Sequence, residues 1–138
     1  MFSERVLDHF QNPRNAGSLA PPAVSVEVSN PACGDILRLA ARFERDVAVE
    51  VRFLARGCAA SVAAGSALTE LARGRKRQEL AALDADAVES ALGGLPPASR
   101  HAAALAIDAL RALLRAGPDM PDPSKSDDAA KETEPSSR

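Results

Sequence analysis

The sequence predicts a small α+β domain. Its parts are a three-stranded, mostly antiparallel sheet, helices packed on one face, and a helix at the N-terminus. Three observations carry that prediction. Three stretches between residues 24 and 53 alternate apolar and polar side chains with period two. The stretch from 58 to 73 changes to alanine- and leucine-rich helical spacing. A last stripe, Ala103, Ile107, Leu110 and Leu114, recurs at helical spacing near the end. Strands followed by helices is the order expected of helices stacked on one side of a sheet.

Each element has a local reason. Ser3 caps a first helix carrying Val6, Leu7 and Phe10, and Asn12-Pro13 ends it because the residue before proline leaves the helical region. Val24, Val26 and Val28 alternate with Ser25, Glu27 and Ser29. Leu37, Leu39, Ala41 and Phe43 alternate against Arg38 and Arg42; Val47, Val49, Val51 and Phe53 alternate against Glu50 and Arg52. Glu44-Arg45-Asp46 joins the last two runs at hairpin length. The polar partners predict one wet sheet face. After Gly57 a helix carries Val62, Leu68 and Leu71 and stops at Gly74. Asp84 or Asp86 caps a short helix through Leu92. Gly93-Gly94-Leu95-Pro96-Pro97 breaks the chain, and Ser99 caps the last helix.

Composition bounds the function. The chain has 138 residues, the size of one domain, and 29 of its hydrophobic residues are alanine, so it can fill one modest core. Six acidic and three basic residues fall in 117–138 with four of the ten prolines. That composition predicts a disordered acidic tail behind a domain spanning 1–116. With no tryptophan or tyrosine and four phenylalanines, an aromatic platform for single-stranded nucleic acid is not expected. A net charge of −2 argues against a strongly basic nucleic-acid surface. No uncharged stretch reaches the ~18 apolar residues of a membrane span, and Met1 to Arg5 carries charge where a signal peptide needs an apolar run. The expectation is a soluble, cytoplasmic protein with neither nucleic acid nor membrane as partner.

The chemistry rests on two cysteines and two histidines. Cys33 lies in Pro31-Ala32-Cys33-Gly34-Asp35, a turn feeding the second strand. Cys58 lies in Arg56-Gly57-Cys58, where the third strand gives way to a helix. A helix N-terminus favours the anionic form of a thiol, which ligates metals and attacks sulfur. Gly34 and Gly57 leave room for tight turns or close approach. Asp35 is two residues from Cys33, and His101 opens the last helix. Spacing alone leaves two readings open, structural cysteines or a metal or redox site. A thiol nucleophile with His101 as base is a third, but no substrate pocket is legible. His9, among apolar neighbours, reads as a packed histidine. Asn12 to Gly17 reads equally as a helix-ending turn or a docking loop. Arg73-Gly74-Arg75-Lys76-Arg77 reads as a solvated helix end, and Asp108 as a surface carboxylate.

Several segments together resemble the IscU/NifU-type iron–sulfur cluster assembly scaffold family. They are Val6-Leu7-Asp8-His9-Phe10 with Asn12 to Gly17, Pro31 to Asp35, and Arg56-Gly57-Cys58-Ala59-Ala60-Ser61 running on to Ser66, Thr69 and Glu70. Leu95-Pro96-Pro97 and Leu105 to Leu110 complete the set. The resemblance implies a small sheet with helices on one face. It also implies a carrier without turnover of its own, which takes iron, and sulfur from a cysteine desulfurase, builds a labile [2Fe–2S] cluster and passes it to apo-proteins. The site it implies is three cysteines and an aspartate, with a histidine beside the third cysteine.

Here that third position is Ala102, next to His101. The implied ligands are therefore Cys33, Asp35, Cys58 and His101. Such a mixed set can close a tetrahedral zinc site when no cluster is bound or hold a [2Fe–2S] unit. Two chains sharing one cluster would supply four thiolates, which leaves a cluster-bridged homodimer open. The alternative reading is a diverged, zinc-binding homologue that docks a desulfurase and regulates assembly without building clusters. The two prolines are followed by Ala98-Ser99 rather than valine and lysine, so recognition by a dedicated cluster-transfer chaperone is in doubt.

Overall fold

The computed structural model describes residues 2–30 and 34–116. Cys33 and the tail from 117 lie outside the described residues. Helix α1 (Glu4–Gln11) begins where Ser3 Oγ accepts from the Val6 amide at 3.1 Å. Strands β1 (Val24–Asn30), β2 (Asp35–Glu44) and β3 (Val47–Arg56) form one antiparallel sheet in that order. Arg45 and Asp46 turn the β2–β3 hairpin, both with positive φ as a tight two-residue turn requires. Helices α2 (Ala59–Ala72), α3 (Arg77–Ala81) and α4 (Ala85–Ala91) follow. A single 3₁₀ turn (Pro97–Ser99) then runs into α5 (Arg100–Ala116).

The α+β layering expected from the sequence is the observed one. Helices α2 and α5 cover the face presenting Leu37, Leu39, Val51 and Phe53, all buried. The other face carries ion pairs such as Arg38–Glu27 at 3.0 Å and Arg52–Glu50 at 3.0 Å. Alanine lets α2 approach closely. A Cβ at Gly65 would lie 2.5 Å from Phe53, so the helix backbone rests on that ring. No helix among the described residues is long and apolar enough to cross a membrane.

Three local readings change. Helix α3 was not legible, because five residues carry too little periodicity. Ser99 falls within the 3₁₀ turn rather than capping α5. The basic run 73–77 is partly structural: Arg75 Nε donates to the Leu71 carbonyl at the end of α2, and Arg77 lies 4.3 Å over the Phe43 ring and 3.3 Å from Asp46.

Candidate metal centre

The last residue of β3, Arg56, and the first of β2, Asp35, end at the same edge of the sheet, and α2 starts there. Cys58 is the N-cap of α2, with an exposed thiol. Its backbone amide donates to Asp35 Oδ1 at 3.2 Å, so a carboxylate occupies the positive end of the helix. Gly57 makes this approach feasible. Its φ is +146°, and a Cβ there would stand 2.0 Å from Asp35 Oδ1. The room that a glycine before Cys58 provides is filled by Asp35.

The second carboxylate oxygen is the hub. Asp35 Oδ2 accepts from the Ser61 hydroxyl at 2.8 Å, lies 3.1 Å from His101 Nε2 and stands 3.9 Å from Cys58 Sγ. Asp35 is 2% exposed, so water contributes little and these partners carry its hydrogen bonding. His101, in the first turn of α5, has its Nδ1 3.2 Å from the Ala98 carbonyl, which directs Nε2 toward the centre. One ligand atom each from Asp35, Cys58 and His101 lies within 4.8 Å of the others. Thiol, carboxylate and imidazole at that spacing are a chemically suitable donor set for zinc or iron.

Further along α2 a second polar cluster ties down the N-terminus. Ser66 Oγ accepts from the Arg14 amide at 2.9 Å and lies 2.7 Å from His9 Nδ1. His9 Nε2 faces Glu70 Oε1 at 3.7 Å. Asn15, at φ +60°, donates its side-chain amide to Thr69 Oγ1 at 3.1 Å. The backbone of the same segment pairs with β3: Gly17 N donates to Phe53 O at 2.8 Å and Phe53 N to Asn15 O at 3.0 Å. Residues Arg14 to Gly17 therefore dock on this chain's own sheet edge.

Of the sequence-derived site residues, Asp35, Cys58 and His101 converge; Cys33 lies outside the described residues. Ala102 is buried in the apolar core beside His101. His9 is packed, as expected, and Asp108 is exposed. Sequence reasoning missed Ser61 as a member of the site. Its signal was present: it follows Cys58 by three residues, one helical turn, and so shares the face of the thiol.

A small α+β sheet with a thiol, a carboxylate and an imidazole gathered at its edge defines the class of protein. Residues 1–116 match the NifU-like N terminal domain family, and the chain belongs to it. It is 41% identical over 114 residues to iron-sulfur cluster assembly scaffold protein IscU 1 of Archaeoglobus fulgidus, covering 83% of this chain and 74% of that protein. It is 37% identical over 116 residues to the scaffold protein IscU of Aquifex aeolicus, with the same coverage of 83% and 74%. The crystal structure of a nitrogen-fixing NifU-like protein (N-terminal) from Brucella abortus shares the fold. Its TM-score is 0.63 at 21% identity, over 82% of this chain and 91% of that one.

Proposed function

We propose that this protein is an iron–sulfur cluster assembly scaffold in the cytoplasm, with residues 1–116 as its working domain. Iron and a labile [2Fe–2S] cluster are its cargo, held through Cys33, Asp35, Cys58 and His101. The observation that carries this reading is the Asp35–Cys58–His101 cluster, in a chain whose family relatives are named as scaffolds. Cys33, two residues before Asp35 in the chain, supplies the second thiolate. Zinc occupies the same donors when no cluster is bound. The protein acts by ligand exchange rather than turnover.

Sulfur arrives from a cysteine desulfurase as a persulfide. With Ala102 offering no thiol, the acceptor is Cys33 or the exposed Cys58. Its thiolate attacks the outer sulfur of the donor persulfide, a new S–S bond forms on the acceptor cysteine, and the donor leaves as thiolate. Asp35 keeps the cluster transferable, because a carboxylate oxygen is a harder and more readily exchanged ligand for iron than thiolate. Apo-proteins with full thiolate sets then take the cluster.

The test is anaerobic reconstitution with ferrous iron, cysteine and a cysteine desulfurase, followed by visible absorption and circular dichroism. The expected result is a [2Fe–2S] spectrum that disappears in Cys33→Ser and Cys58→Ser and persists longer in Asp35→Ala. A protein that stays colourless and retains zinc overturns it. Buried Ala102 favours a second reading in that event: a zinc-binding homologue that docks the desulfurase. Under that reading Ala102→Cys gains cluster assembly that the natural chain lacks.

A further inference from the structure

We propose that Ser61 is a positioning residue of the metal centre, whose hydroxyl holds Oδ2 of the Asp35 carboxylate in place as a ligand atom. The inference rests on the metal-binding reading above and names a residue that reading does not use. In the structure Oδ2 of Asp35 is held by Ser61 at 2.8 Å and His101 Nε2 at 3.1 Å, and Oδ1 by the Cys58 amide at 3.2 Å. A metal that takes the imidazole nitrogen and the thiolate removes both as partners of the carboxylate. What remains is one protein donor per oxygen: the Cys58 amide on Oδ1 and the Ser61 hydroxyl on Oδ2. A carboxylate oxygen has two acceptor sites, so Oδ2 can keep Ser61 and still bind metal.

The sequence around Ser61 sharpens the argument. Its neighbours Ala59, Ala60, Ala63 and Ala64 are alanine, the best helix former, and Ser61 is 2% exposed. A buried hydroxyl in such a helix costs stability unless it is hydrogen-bonded. Its side-chain partners are both at the centre: Asp35, and Cys58 Sγ at 3.5 Å. Ser61 thus meets Asp35 and the thiol from the same turn of helix that presents Cys58.

Zinc and cobalt(II) titrations of the metal-free full chain test this, comparing the natural protein with Ser61→Ala and Ser61→Thr, each checked for an intact thermal transition. Loss of an outer-shell partner lowers metal affinity by about 10- to 100-fold. The expected result is a zinc Kd raised at least about 10-fold in Ser61→Ala. Cobalt's ligand-field bands should weaken as water enters the looser site, while its thiolate charge-transfer band persists. Ser61→Thr, which keeps the hydroxyl, should retain tighter binding than Ser61→Ala. A Ser61→Ala Kd and cobalt spectrum matching the natural protein's overturn the role of Ser61 and leave the metal-binding reading standing. Threonine binding as weakly as alanine also overturns it. Failure of the natural chain to bind either metal overturns the metal-binding reading itself and this inference with it.

Discussion

Helix α2 carries two clusters built from the same chemical types, an imidazole, a serine hydroxyl and a carboxylate, and they differ in what is left exposed. In the cluster of His9, Ser66 and Glu70, the imidazole is buried and the carboxylate reaches solvent, 50% exposed. Ser66 is spent on the Arg14 backbone and on His9. In the cluster of His101, Ser61 and Asp35 the pattern is inverted: the carboxylate is buried, His101 is 29% exposed, and an exposed thiol stands beside them. The first arrangement closes on itself and fastens the N-terminal segment to the fold. The second leaves nitrogen, oxygen and sulfur lone pairs near one accessible point. The lesson is that donor types alone do not make a site; which member of the cluster is buried decides between a lock and a ligand shell.

Breaking each cluster separately should separate the two roles. The largest effect is expected from Cys58→Ser, which removes a proposed ligand: metal affinity should fall by more than about 100-fold, beyond the cost of an outer-shell loss, with the thermal transition little changed. Metal titration beside calorimetry checks both halves. Gly57→Ala should damage site and fold together. Its new methyl would meet Asp35 at 2.0 Å on a backbone at φ +146°, so a loss of about 2–4 kcal/mol is expected. Gly34→Ala, at φ +73° with nothing within 4 Å, should lose only about 1–2 kcal/mol, the conformational penalty alone. Denaturant unfolding of the pair distinguishes a clash from a backbone cost.

His9→Ala should do the reverse of Cys58→Ser. Deleting a buried, hydrogen-bonded ring should cost about 2–3 kcal/mol of stability while zinc affinity stays within about two-fold, well short of an outer-shell loss. A weakened zinc site in that variant would show that lock and centre are coupled through α2. The smallest effect is pH dependence. Burial and the nearby Arg14 guanidinium hold His9 below the usual imidazole value of 6.5. As pH falls through 6.5 the unfolded chain takes up the proton first, so stability declines below that point and is complete above it. The carboxyls of Asp8 and Glu50 are lowered from 3.8 and 4.5 by their arginine partners, so their contribution is lost only at lower pH. Thermal transitions between pH 5.5 and 7.5 should slope in the natural protein and flatten in His9→Gln.

Much of the architecture was legible because it is local. Val24 to Val28 and Val47 to Phe53 alternate as half-buried strands must, and the valines carry β propensity of their own. Ser3 and Asp84 cap the helices their sequence positions suggest. Asp35, Cys58 and His101 were also singled out, two by their places at element ends and all three by resemblance. Helix α3 escaped because one turn has no period to read. The docking of Asn12 to Gly17 stayed open between a turn and a partner loop, since its partners Phe53, Ser66 and Thr69 are all distant in sequence.

Strand alternation, the alanine-rich helix that can lie close on Phe53, and the donor types the chain owns are all written in the order of residues. Which donors meet, and which are buried, comes from the packing of sheet and helices. Asp35 meets Ser61 across 26 residues and His101 across 66, distances over which no local pattern has information. Burial is a property of the packed layers. A carboxylate placed under a helix N-terminus gathers every donor within reach, and that gathering exists only once sheet and helices have closed over it.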